Sequence, residues 1–432
     1  MTETRLTETA STPAAPGFGA ALRVWARIGV LSFGGPAGQI ALMHREVVEE
    51  RGWLGEDEFL NALSFSMLLP GPEAMQLATY AGWRLHGVAG GLAAGLLFVL
   101  PGAAVVLALA ALYAAIGAVP LVQALFLGVK AAVVVIVIEA LLKVARRALK
   151  EPDRWMIAAL AFVAIFFLSA PFPLIVALAA LYGLLRGGDA GPAAPPVTRP
   201  LSRTLGTILL WLAVWWAPLA VLWLAAPGSL LVEIGLFFSK LAVVTFGGAY
   251  AVLAYMAQDV VNAQGWLTAG EMMDGLGLAE TTPGPLILVT EFVGFLAAEK
   301  AGGLALGLAG AAVTLWMTFA PCFLWIFAGA PYVAVIATRP RLKAALSAIT
   351  AAVVGVILNL SIWFALHVFF GEVTARAAGP FTLWTPDWAT LDPGAVLLAL
   401  VAGVLLLWLR FGLIAVLGIS ALLGVAWALI AG

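Results

Sequence analysis

Two proline-glycine-proline triplets interrupt apolar stretches of this sequence, and each could create a binding site for an anion. Pro70-Gly71-Pro72 lies in LLPGPEAMQLATYAGW, and Pro283-Gly284-Pro285 lies in AETTPGPLILVTEFVGF in the second half of the chain. Proline breaks a helix because it lacks a backbone donor and clashes with the preceding turn. The next helix then begins with free N–H groups and a partial positive charge, which bind oxyanions without a side chain. We predict that both triplets contact an anionic substrate; the alternative is a kink that only shapes helix packing.

Two cations are placed alike in the two halves of the sequence. Arg27 stands six residues before Phe33-Gly34-Gly35, and Lys240 stands six residues before Phe246-Gly247-Gly248. A charge within an apolar segment is costly and usually faces a cavity, and two cations match the charge of a dianion. We therefore predict that Arg27 and Lys240 bind one dianion together; the alternative is that their long side chains reach the membrane surface. The Phe-Gly-Gly segments are either close-packing sites or unwound backbone that faces the ligand.

Two polar side chains follow the first triplet. Glu73 lies in the first turn after it, where a carboxylate complements the helix dipole. It is either a simple cap or a group that takes up a proton as the anion enters and so couples transport to protons. Gln76 is an uncharged hydrogen-bond donor beside the same break, and we predict that it contacts the substrate. Histidines, cysteines and carboxylates do not cluster at metal-ligand spacing, so no metal or cofactor is predicted.

The composition places these residues in a membrane. The chain has 432 residues, of which 63% are hydrophobic and only 10% are charged, whereas soluble domains carry about 25% charged residues. No basic run indicates nucleic acid as a partner. Since about 20 apolar residues suffice for a transmembrane helix, we expect an all-α polytopic protein in the bilayer with about 13 spans. They are 21–44, 59–84, 88–116, 120–142, 154–169, 171–186, 205–226, 230–257, 270–298, 302–330, 341–370, 394–409 and 411–431.

The distribution of lysine and arginine predicts the orientation. Residues 1–20 are expected to form a short polar tail, because they lack the apolar core of a signal peptide. With thirteen full crossings and a cytoplasmic N-terminus, most lysines and arginines outside the spans fall in cytoplasmic loops, as the positive-inside rule requires. If both triplets were re-entrant instead, the bias would reverse. We therefore predict full crossings that are broken internally.

The sequence is duplicated. One constant shift in numbering, which takes Pro70 to Pro283, superimposes the Phe-Gly-Gly segments, both Pro-Gly-Pro triplets, and Gly52-Trp53-Leu54 with Gly265-Trp266-Leu267. We predict a first repeat at 21–186, a linker with a connecting helix at 187–229, and a second repeat at 230–432. Seven crossings separate equivalent helices, an odd number, so the repeats should be inverted. Inverted repeats with broken helices are typical of secondary transporters whose site lies between the repeats.

Residues 33–102, which begin FGGPAGQIALMHREVVEERGWLGEDEF, resemble the chromate ion transporter family. The second half resembles its second domain through the motifs that it shares with the first. The resemblance implies a long-chain, two-domain inner-membrane protein that exports chromate and confers chromate resistance. Sulfate, another tetrahedral dianion, is the natural mimic of chromate. The second half departs from the first because it lacks a proline after Phe-Gly-Gly and a glutamate after Pro-Gly-Pro, so the half-sites are not chemically equal.

The leading hypothesis is therefore a secondary active transporter that exports chromate from a site at the Pro-Gly-Pro breaks. No phosphate-binding loop of the Gly-x-x-x-x-Gly-Lys type occurs, so an ion gradient or a partner must supply the drive. The alternative is an exchanger or channel for sulfate or another tetrahedral oxyanion. An enzyme is disfavoured because catalytic carboxylates and histidines do not cluster. The sequence leaves open whether the chain forms a homodimer.

Overall fold

The computed structural model describes residues 16–33, 35–188, 200–246, 249–336 and 339–431. Most of the predicted tail, most of the linker, and Gly34, Gly247 and Gly248 lie outside the described residues. The helices of the first half are α1 (Phe18–Leu31), α2 (Gly35–His44), α3 (Glu56–Ser66), α4 (Glu73–Ile116), α5 (Pro120–Ala148), α6 (Pro152–Phe166) and α7 (Phe172–Arg186). Those that follow are α8 (Leu201–Ala225), α9 (Leu230–Val244), α10 (Ala249–Gln258), α11 (Ala269–Thr281), α12 (Val289–Gly329), α13 (Val333–Ile336), α14 (Pro340–Phe369), α15 (Pro393–Gly403) and α16 (Leu413–Ala431).

The helices confirm a multi-pass α-helical membrane protein. Within the described residues, six helical segments are long and apolar enough to cross a bilayer: Glu73–Ile116, Pro120–Ala148, Leu201–Ala225, Leu286–Tyr332, Pro340–Phe369 and Leu413–Ile430. The segments that contain α12 and α14 are mostly buried inside the protein, whereas the others expose most of their surface. The predicted count of thirteen spans and the inversion of the repeats remain predictions, because other predicted spans consist of shorter helices.

Two long helices reverse direction within their length. The backbone leaves the helical conformation at His86 and Gly87 in α4, and at Gly302 and Gly303 in α12. The two arms of α4 pack so closely that a Cβ on Gly82 would overlap the carbonyl oxygen of Gly90. Glycine allows such a close approach because it has no side chain. Each reversal thus produces a helical hairpin. The first arm of α4 is the second part of the predicted span 59–84, and the second arm is the predicted span 88–116.

The Phe-Gly-Gly segments separate short helices in both halves. Ser32 and Phe33 follow α1, and Thr245 and Phe246 follow α9. The hydroxyl of Ser32 donates to the carbonyl of Ile28 at 2.5 Å, and that of Thr245 donates to the carbonyl of Leu241 at 2.6 Å. The duplicated sequence therefore forms the same local structure twice, and each hydroxyl satisfies a carbonyl at the end of its helix.

One small sheet departs from the predicted all-α class. Strands β1 (Val373–Ala378) and β2 (Phe381–Pro386) pair antiparallel, with Val373 opposite Pro386. Gly379 in the turn has a φ of 63°, which a hairpin turn of this kind favours. The amide of Thr382 donates to the carbonyl of Phe167 at 2.6 Å and fixes the hairpin to the end of α6. The hairpin lies between the predicted spans 341–370 and 394–409, where no strand was predicted.

Candidate functional site

The first Pro-Gly-Pro triplet requires glycine for two separate reasons. It separates α3, which ends at Ser66, from α4, which begins at Glu73. Gly71 has a φ of 116°, a conformation that other residues rarely adopt. A Cβ at this position would lie 2.8 Å from Nε2 of Gln76 and 2.9 Å from Sγ of Cys322. The predicted helix break is therefore present, and it is tightly packed.

A glutamine side chain braces each triplet. Gln76 is fully buried, and its Nε2 donates to the carbonyl of Pro70 at 2.7 Å. At the second triplet, Nε2 of Gln39 donates to the carbonyl of Gly284 at 2.6 Å and to that of Ser32 at 3.3 Å. In this structure the amide nitrogen of Gln76 holds the break, and its contact with substrate stays a prediction.

The breaks of the two halves are joined to each other. The amide of Gly71 donates to the carbonyl of Thr245 at 2.9 Å, and the amide of Gly284 donates to the carbonyl of Ser32 at 2.9 Å. The two donors are equivalent positions of the duplicated sequence, and so are the two acceptors. Each Pro-Gly-Pro triplet therefore contacts the Phe-Gly-Gly break of the opposite half, and the breaks form one buried junction.

A cavity of about 300 Å³, which we call the break cavity, lies beside this junction. Its volume is at the lower end of the range of ligand pockets, roughly 300–1,000 Å³, and accommodates a small oxyanion. It is lined by the start of α2 (Gly35, Pro36, Ala37), the first break (Ser66, Met67, Leu69, Gly71, Glu73), the start of α10 (Ala249, Tyr250), Glu280 of α11, the face of α5 (Glu139, Ala140, Lys143, Val144, Arg147), Thr350 and Leu413.

Helix ends and cations place positive charge at the wall of the break cavity. The helices α2, α4 and α10 all begin at its wall, and a helix N-terminus carries free N–H groups and about half a positive charge. Lys143 and Arg147 add two full positive charges. Among the described residues Arg147 has no carboxylate within ion-pair distance, whereas Nζ of Lys143 lies 2.7 Å from a carboxylate oxygen of Glu139. Arg147 is thus available to a ligand.

Carboxylates balance these charges. Glu73, Glu139 and Glu280 line the same cavity. Glu280 is buried and accepts a hydrogen bond from the hydroxyl of Tyr250 at 2.7 Å. With all of these groups ionised, the three carboxylates outnumber the two cations. Protonation of one carboxyl group would remove this excess of negative charge.

The predicted cation pair lies elsewhere. Nε of Arg27 is 3.5 Å from a carboxylate oxygen of Glu46, and Nζ of Lys240 lies 5.2 Å from the centre of the Tyr255 ring. Both cations are exposed, and neither lines the break cavity. The structure therefore gives each cation a partner in its own half, and the alternative of side chains that reach the surface fits these positions.

The other predicted site residues divide between the cavity and its surroundings. Gly35, Gly71 and Glu73 line the break cavity, whereas Gly34, Gly247 and Gly248 lie outside the described residues. The remaining predicted residues do not line it: Phe33, Phe246, Pro70, Pro72, Gln76, Pro283, Gly284 and Pro285. The second triplet is buried against α4, where a Cβ on Gly102 would overlap the carbonyl of Pro283. The two triplets are thus unequal, as the missing glutamate of the second half suggested.

Helix α5 contributes two cations that were not among the predicted site residues. The predicted span ends at residue 142, before Lys143 and Arg147, but both stand on a helix that continues to Ala148. Glu139, Lys143 and Arg147 are spaced by four residues, which places them on one helix face. That spacing was visible in the sequence and could have indicated a charged wall.

Known proteins match this chain over most of its length. The family model described as chromate transporter matches residues 20–184 and 232–425. A chromate transport protein of Pseudomonas aeruginosa is 33% identical over 339 residues, which are 77% of each chain. A chromate transport protein of Cupriavidus metallidurans is 30% identical over 353 residues, which are 82% of this chain and 84% of that one. No solved structure matches the chain.

Proposed function

Because the chain belongs to the chromate transporter family, as its motifs predicted, we propose that it exports chromate across the inner membrane as a secondary active transporter. The relatives from Pseudomonas aeruginosa and Cupriavidus metallidurans are named as chromate transport proteins. The substrate site that we propose is the break cavity. Lys143 and Arg147 supply its positive charge, in place of the predicted pair Arg27 and Lys240.

The observation that carries this proposal is the meeting of α2, α4 and α10 at one cavity beside two cations. An oxyanion binds to a helix N-terminus through backbone N–H groups and the helix dipole. Three such ends come from the breaks of both halves, and Lys143 and Arg147 face them from α5. A tetrahedral dianion can accept hydrogen bonds from several directions at once, so a chromate or sulfate ion fits this arrangement.

The carboxyl groups of the break cavity provide a way to couple the transport of the anion to the uptake of protons. Glu73 follows the first triplet and Glu280 precedes the second, and both line the break cavity. Protonation of either lowers the negative charge that an entering dianion meets. We therefore keep Glu73 as a coupling group and add Glu280, which the hydroxyl of Tyr250 positions. The membrane potential, worth about 2.3 kcal/mol per charge per 100 mV, also favours the exit of a dianion from a negative interior.

The proposed orientation places the break cavity on the cytoplasmic side. Lys143, Arg146, Arg147 and Lys150 lie around the end of α5 and were predicted to be cytoplasmic by the positive-inside rule. An exporter whose resting form opens inward would bind its substrate from the cytoplasm there. The N-terminus is then also cytoplasmic.

Uptake of chromate into inverted membrane vesicles tests this function. We expect uptake that saturates with chromate concentration, depends on an imposed pH gradient or potential, and is inhibited by sulfate. Vesicles with the same amount of a Pro70-Gly71-Pro72 to triple-alanine variant serve as the control. Flux that rises linearly with concentration would indicate an oxyanion channel, and the absence of any specific flux would contradict the proposed substrate.

A further inference from the structure

A second cavity of about 320 Å³ lies on the far half of α5 from the break cavity. It is lined by Tyr113 of α4, by Gln123 and Lys130 of α5, and by Gly270, Glu271 and Asp274 of α11. The proposed export function does not yet use it. We call it the far cavity.

The far cavity contains a buried charged cluster. Asp274 is only 4% exposed, and its Oδ2 accepts from the hydroxyl of Tyr113 at 2.8 Å and lies 3.3 Å from Nζ of Lys130. Its other oxygen, Oδ1, is buried and has no partner among the described residues. Glu271 beside it is held by Lys300 at 2.6 Å. Charged groups within a membrane protein are costly and mark pathways for ions, so this cavity is unlike a simple packing defect.

The same two helices line both cavities. On α5 the far cavity includes Lys130, and the break cavity begins at Glu139, about 14 Å further along at 1.5 Å per residue. On α11 the corresponding residues are Asp274 and Glu280, about 9 Å apart. These separations are a third to a half of a hydrocarbon core of about 30 Å. The two cavities therefore lie at different depths along the same two helices.

Between these depths α11 packs directly against α5. Gly277 lies between Asp274 and Glu280, and it is buried against α5. A Cβ on Gly277 would overlap Cγ1 of Val129 and would lie 3.5 Å from Cγ2 of Val133. The closed contact therefore depends on the absence of a side chain at position 277. Helix α11 ends at Thr281, and the break at Pro283-Gly284-Pro285 separates it from α12.

We propose that the far cavity is the opposite-side vestibule of the transport path, and that the contact of Gly277 with Val129 and Val133 is the gate between it and the break cavity. This inference rests on the proposed function, because it adds the second half of the path to the same site. In the vestibule Lys130 is the cation that a passing oxyanion contacts. While no anion is present, the carboxylate of Asp274 pairs with Lys130, and the hydroxyl of Tyr113 donates to the same carboxylate oxygen.

Thiol labelling tests whether the two cavities open to opposite faces. The single cysteine, Cys322, is first replaced by alanine. Thr350→Cys then reports on the break cavity and Gly270→Cys on the far cavity, in full-length protein in intact cells and in inverted vesicles. We expect a membrane-impermeant thiol reagent to label Gly270→Cys only in intact cells and Thr350→Cys only in inverted vesicles. Labelling of both positions from the same face would overturn the proposal.

Substitutions at the contact test the gate. Gly277→Ala should prevent closure, so Gly270→Cys should become labelled from both faces and sulfate should leak down its gradient without a pH gradient. Val129→Ala should enlarge the same contact and also leak, while Val129→Ala in the Gly277→Ala protein should restore closure by making room for the added methyl group. Val135→Ala is the matched control, because Val135 lies on the same helix but faces Gly403. If Gly270→Cys is still labelled from one face only in both the Gly277→Ala and the Val129→Ala proteins, the proposed gate is wrong.

The labelling and flux results separate this inference from the proposed function. If chromate or sulfate is transported but both cysteines label from one face, the vestibule is wrong and the function stands. If the cysteines label from opposite faces but neither anion moves, the path stands and the proposed substrate is wrong. If the Gly277→Ala protein does not fold, the Val129→Ala protein decides the test, because that substitution only removes methyl groups.

Discussion

Which charged side chains line the break cavity depends on their spacing along a helix, and not on their recurrence in the two halves of the sequence. Arg27 and Lys240 attracted the prediction because they recur before the Phe-Gly-Gly segments. Lys143 and Arg147 line the cavity because they share a face of α5 with Glu139. The sequence shows which residues share a face, but it does not show which neighbouring helix that face meets. The partners Glu46 and Tyr255 therefore could not be predicted.

The carboxyl groups of the break cavity should make anion binding depend on pH. Ionised Glu73 and Glu280 repel a dianion, so sulfate affinity should increase as the pH falls and these groups take up protons. Glu73→Gln and Glu280→Gln should each bind sulfate more tightly at neutral pH and show a flatter pH dependence. Isothermal titration of purified protein across the pH range measures both effects. Weaker binding in either variant would show that its carboxylate assists the anion instead.

Arg51 and Arg27, which both pair with Glu46, should differ in their contribution to the free energy of unfolding. Nη1 of Arg51 lies 2.6 Å from the fully buried carboxylate of Glu46, whereas Arg27 is 3.5 Å away with a side chain that is 56% exposed. Arg51→Gln should lower the free energy of unfolding by about 1–3 kcal/mol, the cost of a lost charged hydrogen bond. Arg27→Gln should cost about 0–1 kcal/mol, as an exposed pair does.

Thermal unfolding in detergent measures this difference, and anion affinity is measured on the same samples. Neither variant should change sulfate affinity, because neither arginine lines the break cavity. A clear loss of affinity in Arg27→Gln would restore the predicted pair of Arg27 and Lys240 around one dianion.

At the scale of helices, the breaks could be predicted and their contacts could not. Pro70-Gly71-Pro72 and Pro283-Gly284-Pro285 interrupt helices because proline and glycine act locally. The bonds from Gly71 to Thr245 and from Gly284 to Ser32 join residues far apart in the sequence, so no local rule indicates them. The strands β1 and β2 were not predicted, because apolar and polar residues alternate only weakly in this short, exposed segment.

The first break should tolerate no side chain at Gly71. Gly71→Ala must place a Cβ against Gln76 and Cys322 in a conformation that alanine rarely adopts, so transport should be lost while insertion in the membrane is kept. Gly228→Ala is the control for a positive φ without a packing clash: its φ of 76° costs alanine about 1–2 kcal/mol, and nothing lies within 4 Å of the added atom. Vesicle uptake at equal protein levels compares the two. Equal activity in both variants would show that the packing at Gly71 is unimportant.

The whole molecule shows the duplication in matching contacts as well as in matching sequence. Glu58 pairs with Arg84, and Glu271 pairs with Lys300. Glu58 and Glu271 are equivalent positions of the two repeats, and each cation stands two residues before the reversal of the following helix. The repeat was visible in the sequence because it is carried by glycine, proline and tryptophan. The orientation of the repeats in the membrane depends on lipid, which the chain alone does not show.

The predicted orientation can be tested on the whole chain. We expect a cytoplasmic N-terminus, the segment 143–154 in the cytoplasm and the C-terminus outside, since Lys143, Arg146, Arg147 and Lys150 concentrate positive charge there. Reporter fusions that are active only on one side of the membrane, inserted after Lys150 and at the C-terminus, should report opposite faces. If both reporters lie on the same face, the number of crossings after α5 is even, and the prediction of thirteen spans is wrong.

The central claim is that the break cavity binds the oxyanion through Lys143 and Arg147. Sulfate and chromate affinity of purified Lys143→Gln, Arg147→Gln and Arg146→Gln proteins tests it most directly. Arg146 is the matched control, because it is exposed on the same helix turn and does not line the cavity. The account predicts that Arg147→Gln loses about 1 kcal/mol or more, roughly fivefold in Kd, that Lys143→Gln loses less because Glu139 already holds Lys143, and that Arg146→Gln binds as the unmodified protein does. Unchanged affinity in Arg147→Gln, or an equal loss in Arg146→Gln, would contradict it.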